Sequence, residues 1–282
     1  MRTVRIHVLA DNTAGMPSFL AEHGLSLLVE VENRLILLDA GQGEAAVGNA
    51  VRMGLDLKGV ECVVLSHGHY DHTAGLPAVL ERSGPRRVIC HPSAFEAKYF
   101  QAGEFKRYIG MPWRREYLET AGALFEEREG VTDLGGGVWV TGEVPRLTDF
   151  ETGDPNLKRM AGGDLEVDPL LDDQALVVET EGGLVVVLGC AHAGVVNTAL
   201  HARELTGRDR ILALVGGSHL AFLGRRQLER TMEELRAMDP AVMAFSHCTG
   251  QAAARELSAA FGDRFVFNQT GTTVVVDPSS LG

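Results

Sequence analysis

Ser66-His67-Gly68-His69-Tyr70-Asp71-His72-Thr73 packs three histidines and an aspartate into six consecutive positions, directly after the apolar run Cys62-Val63-Val64-Leu65. A short apolar run of this kind reads as a buried strand. The cluster therefore falls where a strand ends and the chain turns, with Thr73 placed to cap a helix over residues 74–83. Imidazole nitrogens and a carboxylate oxygen are donors that zinc and similar divalent ions take. One loop carrying four of them can feed two adjacent ions, His67 and His69 facing one and Asp71 and His72 the other. The plainer alternative is a His-rich polar turn, but crowding so many titratable groups into one turn is costly.

Six of the ten histidines repeat this placement: His67, His69, His72, His192, His219 and His247 all fall just past apolar runs. Strand ends on one edge of a sandwich converge, so these six can share a single cleft. His7 lies inside the first strand and His201 on a helix, and both read as structural. His91 ends a strand at Cys90-His91-Pro92 and is a further candidate to line the cleft.

Outward from the cluster, apolar alternation gives strands at 4–10, 25–31, 34–38 and 60–65, with Glu32-Asn33 as a two-residue turn. Residues 44–53 have helical spacing and 87–90 form another strand. The segment 93–130 is rich in aromatics and charge and is expected to be a helical cover, either a lid or an ordinary amphipathic helix packed down. A strand at 138–141 precedes a long loop, 143–173, of the kind that is often functional. The second half repeats the logic: a hairpin 174–188, helices at 195–205, 225–238 and 251–261, and strands at 211–215, 241–245, 264–267 and 272–276. The expected architecture is one α/β domain over residues 1–282, a four-layer αββα sandwich of two mixed β-sheets with helices outside.

The chain has 282 residues, 45% hydrophobic and 23% charged, which are ordinary globular values. A formal net charge of -12 disfavours nonspecific nucleic-acid binding. No apolar run reaches membrane-spanning length, and the first residues show no apolar signal segment. The four cysteines form no C-x-x-C pair and no disulfide framework, so the expected location is cytoplasmic.

The His-x-His-x-Asp-His run after a strand resembles the signature of the metallo-β-lactamase superfamily. Leu37-Leu38-Asp39-Ala40-Gly41 resembles the family's first motif, whose aspartate supports the metal loop from behind. His247 resembles its last histidine ligand, and the resemblance spans nearly the whole chain. It implies the same four-layer fold. It also implies one metal on His67 and His69 and a second on Asp71, His72 and His247. Two departures stand out. Relatives complete the first metal with a histidine that precedes the hairpin, but none occurs between His91 and Gln174, where Thr141 to Arg146 stands instead. His192 is the best substitute. Where the hairpin normally ends in a bridging aspartate, this chain has Gly189-Cys190-Ala191-His192. Cys190 is either a thiolate ligand, which would favour softer metals, or a packed strand-end cysteine. Gly-Cys-Ala-His-Ala-Gly, Gly217-Ser218-His219-Leu220 and His247-Cys248-Thr249-Gly250 resemble one branch, named for a dihydropterin ribofuranosyl-aminobenzene phosphate synthase.

The leading expectation is a metal-dependent hydrolase of a small substrate, a phosphoester or a lactone-like ring. A one- or two-metal centre lowers the pKa of bound water and holds a nucleophilic hydroxide. Zinc is the first expectation, up to two ions per chain, with Mn, Fe and Ni also open. Asp71 would orient the water as well as bind metal. His219 is a proton donor or substrate contact, or else a histidine that closes its strand by bonding to backbone. Arg146 with Glu143 could meet an anionic group, and Asn12 could reach the cleft. The alternatives are a synthase-type transferase, as the branch name implies, and a metal-binding protein without catalysis. The expected partner is a small molecule, not nucleic acid or membrane.

Overall fold

A computed structural model describes residues 1–280. The chain runs β1 (Val4–Ala10), β2 (Ser26–Val31), β3 (Arg34–Leu38), α1 (Ala45–Arg52), β4 (Val60–Val64), α2 (Tyr70–Thr73), α3 (Leu76–Ser83) and β5 (Arg86–Cys90). It continues through β6 (Lys98–Ala102), β7 (Phe105–Tyr108), α4 (Arg115–Thr120), β8 (Ala123–Glu127), β9 (Thr132–Gly135), β10 (Val138–Val140), β11 (Leu157–Ala161) and β12 (Asp164–Val167). The remainder is β13 (Ala175–Thr180), β14 (Gly183–Leu188), α5 (Val195–Thr206), β15 (Ile211–Gly217), α6 (Arg225–Met238), β16 (Val242–Ser246), α7 (Gln251–Phe261), β17 (Phe265–Phe267) and β18 (Thr273–Val276).

Two seven-stranded sheets, ordered β18-β1-β2-β3-β4-β5-β8 and β17-β16-β15-β14-β13-β10-β9, carry the fold. Both are mixed: β3, β4, β5 and β8 run parallel, as do β14 to β17, while the outer hairpins are antiparallel. The sheets meet across one apolar core of Val, Ile and Leu from both inner faces. α1 and α3 cover the outer face of the first sheet, and α5, α6 and α7 that of the second. The parallel strands are apolar on both faces because helices cover one and the opposite sheet the other. This is the expected four-layer αββα sandwich. The carboxyl ends of β4, β14, β15 and β16 deliver the loops that begin at Ser66, Gly189, Ser218 and His247, and crevices past such strand ends are where ligands bind in α/β sheets.

The expected helical cover over 93–130 is not helical. It holds β6, β7 and the one-and-a-half-turn α4, and then β8, which joins the first sheet. β6 and β7 pair with β11 and β12, from within the expected long loop, into a third sheet ordered β12-β11-β6-β7. Four of the aromatics of this region lie on these strands, with Tyr99 and Tyr108 facing each other across β6 and β7. Thr73 does not cap the helix that follows: it sits inside α2, its hydroxyl donates to His69 O at 2.9 Å, and α3 begins three residues later.

The third sheet is tied to the His-rich loop. Lys98 is fully buried and its ammonium donates to Asp168 at 2.8 Å and Asp172 at 2.9 Å. The other oxygen of Asp172 accepts the Gly68 N–H at 2.7 Å. Tyr70 N donates to Ile109 O at 2.9 Å, and Ile109 N to Lys98 O at 2.9 Å.

Candidate metal centre

His67, His69 and His192 form one group whose ligand atoms lie within 4.8 Å of one another, and Asp71, His72 and His247 form a second. In the first, His67 Nε2 is 2.9 Å from His69 Nδ1 and 3.3 Å from His192 Nε2. In the second, His247 Nε2 lies 3.2 Å from His72 Nε2 and 3.3 Å from Asp71 Oδ2, with Asp71 Oδ2 3.9 Å from His72 Nε2. Cys190 Sγ sits between the groups, 3.1 Å from His72 Nε2 and within 4.8 Å of ligand atoms on His67, His192 and His247.

The partners behind these rings set which nitrogen faces inward. Asp39 is buried and accepts three hydrogen bonds, from Ser66 N at 2.7 Å, Ser66 Oγ at 2.6 Å and His72 Nδ1 at 2.6 Å. Because the Ser66 hydroxyl donates to Asp39, it must accept from His67 Nδ1, 2.8 Å away. Asn12 Oδ1 accepts from His247 Nδ1 at 3.0 Å. Each of these rings thereby turns its Nε2 toward the centre, the atom a metal ligand offers. Burial, and then the neighbouring imidazoles, push the pKa of His67 well down and keep it neutral. Burial does the same to His69 and His192. Burial also disfavours charge on His72, but Asp39 and Asp71 outweigh it and hold its pKa up at about 9, so this end of the site favours a cation.

Backbone strain marks the same place. Asp39, Ala191, His219 and His247 all have positive φ, between 51° and 61°, a conformation that non-glycine residues adopt only where the surroundings hold them. Asp11 Oδ1 accepts the His247 N–H at 2.9 Å, and Asp173 Oδ2 accepts that of Ala193 at 2.8 Å. Gly189 has no room for a side chain: a Cβ there would lie 2.0 Å from Ser66 Oγ, so the hairpin end and the His-rich loop can touch only through glycine.

The donor set fits divalent ions. It offers imidazoles and one carboxylate in each other's reach, and two nitrogens on a tetrahedral zinc at about 2.0–2.1 Å stand roughly 3.3 Å apart. His192 lies in the first group, its Nε2 3.3 Å from His67 Nε2, while no histidine occurs between His91 and Gln174.

The two groups open into a cavity of about 450 Å³, floored by His69, Asp71, Cys190, His192, His219 and His247. Asn12 lines it, as expected. His219 lines it too, and its ring makes no hydrogen bond to backbone; Nε2 faces the buried Asp154 carboxylate at 3.6 Å. Burial works against charge on His219, yet Asp154 and Cys248 outweigh it and hold its pKa up at about 9. Arg146 and Glu143 are corrected: neither lines the cavity. Arg146 donates to the carbonyls of His192 at 3.1 Å and Pro169 at 2.9 Å, so its fork braces the His192 loop rather than meeting a substrate. Glu143 accepts from His91 Nε2 at 3.1 Å, and His91 Nδ1 accepts the Ser93 N–H, which removes His91 from the cleft as well.

His23, Asp154, Arg107 and Cys248 also line the cavity and were not anticipated. His23 Nδ1 is 3.6 Å from Asp71 Oδ2. It precedes a strand instead of following one, so a search past strand ends passes over it. Cys248, beside the singled-out His247, was the one with a readable signal.

The sequence model of the Metallo-beta-lactamase superfamily matches residues 21–247. An uncharacterized protein of Methanocaldococcus jannaschii is 33% identical over 271 residues, 95% of this chain and 99% of its own. From the same organism, 7,8-dihydropterin-6-methyl-4-(beta-D-ribofuranosyl)-aminobenzene-5'-phosphate synthase is 27% identical over 263 residues, 88% of each chain. A solved structure described as a metal-dependent hydrolase of the beta-lactamase superfamily superposes with a TM-score of 0.81 at 29% identity, covering 96% of this chain and 98% of its own. With the family model spanning all the ligand-bearing loops and a relative one-third identical from end to end, the chain belongs to the metallo-β-lactamase superfamily.

Proposed function

We propose that the protein is a metal-dependent hydrolase of a small ester, phosphoester or lactone-like substrate, the whole chain acting as one domain. The observation that carries this reading is that two ligand groups share one open cavity. A closed ligand shell would speak for a structural metal instead. His67, His69 and His192 would hold one ion and Asp71, His72 and His247 the other, with Cys190 placed to reach both; zinc is the first choice for this donor set. Divalent ions there supply Lewis acidity and acidify a water. Asp71 would orient that water through its carboxylate. His219, backed by Asp154, lines the same cavity and would give a leaving group its proton. Four unpaired cysteines suit the cytoplasm, and no helix among the described residues is long and apolar enough to cross a membrane.

Elemental analysis of purified protein tests the centre. Up to two divalent ions per chain are expected, with His67→Ala and His247→Ala each lowering the content. Full occupancy in both variants would overturn the assignment. Cys190 has a separate signature: the cobalt-loaded protein should show sulfur-to-cobalt charge-transfer absorption that Cys190→Ser removes. A spectrum unchanged by that substitution would make Cys190 a packing residue.

The synthase among the relatives favours a second reading, a transferase in which the same ions stabilise leaving phosphates. A screen of phosphodiester, lactone and pterin substrates separates the two: turnover of a single substrate with water supports hydrolysis, and turnover only with a second organic substrate supports transfer.

A further inference from the structure

Above the ligand residues the cavity changes character. Its walls are apolar and aromatic: Phe100 and Phe105 from the β6–β7 hairpin, Ile109 just after it, Leu157 from β11, and Tyr70 and Phe222 beside the metal loops. Phe105 and Phe222 are 60% and 61% exposed. Single exposed apolar residues need no explanation, but these two open onto the same cavity. Each is half of an aromatic contact, Phe105 against Phe100 with centroids 6.2 Å apart and Phe222 against His219 at 4.9 Å. The two pairs line one cavity, each with an exposed phenylalanine.

One cation shares that wall. Arg107 lies on β7, two residues from Phe105, with its guanidinium 4.9 Å from the centre of the Tyr70 ring. It makes no ion pair among the described residues, although arginines elsewhere in this acidic chain pair with carboxylates, such as Arg34 with Glu61 and Arg208 with Glu179. A guanidinium held against Tyr70 by its ring and a hydrogen bond, with no carboxylate paired to it, keeps further donors for a carboxylate, sulfonate or phosphate. On a protein of net charge -12 it is a local exception to a field that repels anions. The wall does not float. Tyr70 N to Ile109 O and Ile109 N to Lys98 O, both 2.9 Å, pin the end of β7 to the loop that bears Asp71 and His72. The backbone that carries Arg107 is therefore tied to the loop that bears the ligand groups.

We infer that the cavity selects a substrate with a flat apolar body, received by the aromatic wall that includes Phe105 and Phe222, and one anionic group met by Arg107. This rests on the hydrolase reading only for where the reacting bond lies. The size agrees: about 450 Å³ is within the range of pockets that enclose small organic ligands.

The test is binding, so it does not depend on turnover. The metal-loaded full chain is titrated calorimetrically with 1-naphthalenesulfonate, which has the ring and the charge but no bond to hydrolyse. Methanesulfonate carries the charge alone and 2-naphthol the ring alone. Naphthalenesulfonate should bind at least about tenfold more tightly than either. Arg107→Gln should erase its advantage over naphthol, and Phe105→Ala and Phe222→Ala should each reduce its advantage over methanesulfonate. Both phenylalanines are exposed, so the variants should fold, and circular dichroism checks that they do. Equal affinity for the three probes, or affinities untouched by all three substitutions, would overturn the inference. The two readings fail separately. Selective binding without turnover of any ester would sink hydrolysis and keep this inference. Hydrolysis of short alkyl esters with no gain from ring or charge would do the reverse.

Discussion

Asp71→Asn is expected to lower kcat by at least about a hundredfold, the usual scale for losing a positioned base, with little change in thermal stability while the metals stay bound. Asp71 is the only carboxylate within the His67–His72 cluster and is buried with one face on the cavity. Burial alone would raise its pKa, but the charges of His72 and a hydrogen bond with His247 overcome that and hold it well below the usual carboxylate range. It is therefore an anion at any working pH. Asparagine keeps the size and one carbonyl oxygen for a metal, so the substitution removes charge and basicity more than shape. Three measurements belong together: turnover of a generic phosphodiester, metal content and the unfolding midpoint. A variant that keeps its metals and the parent rate would make Asp71 structural, and water activation would pass to His219. His23, 3.6 Å from the same oxygen, should then be replaced in parallel, because its ring also faces that carboxylate and belongs to neither ligand group.

Lys98→Met should destabilise the protein by about 3–5 kcal/mol, the range for removing one partner of a buried ion pair. That is a large share of the roughly 5–15 kcal/mol that holds a folded domain. The ammonium is fully buried between two carboxylates, and methionine fills much of the same volume without charge. Burial pushes the Asp172 pKa up and Lys98 pulls it down, so removing Lys98 raises it further. A carboxyl whose folded pKa lies above its unfolded value loses stability as pH rises between the two. The deficit should therefore be largest near pH 8 and narrow toward pH 5, as Asp172 takes up a proton. Urea denaturation at both pH values measures this. A variant within about 1 kcal/mol of the parent at pH 8 would mean that the triad contributes little. Metal content should fall as well, because Asp172 also holds Gly68 between His67 and His69, two of the proposed ligands.

The third sheet shows where reading the chain fails. Its strands carry aromatics and charges at spacings that suit either a helix face or a pleated strand, and no apolar run settles the choice. What settles it is pairing across the chain, Leu157 with Phe100 and Lys158 with Tyr99, which no local pattern contains. Lys98 and its two aspartates are invisible for the same reason. Each reads as a solvated surface residue until folding brings them together out of water. Arg146 and Glu143 failed differently. They lie on a loop near the cleft, but nearby carbonyls and His91 take up their polar atoms.

The sandwich and its ligand-bearing edge were legible because each rests on a local rule. Buried parallel strands are continuously apolar, and polar residues just past their ends must lie at the sheet's edge. That placed His67, His69, His72, His192, His219 and His247 near one another before any coordinates. Only the tertiary structure decided how they divide and which way they face. The grouping of His192 with His67 and His69 depends on the turn after β14, where Gly189 lets two loops touch. The inward nitrogen of His72, His67 and His247 depends on Asp39, Ser66 and Asn12, and two of these come from distant strand ends. An imidazole offers two nearly equivalent nitrogens, and the choice between them is made by a hydrogen-bond partner that packing supplies and the chain's local sequence does not name.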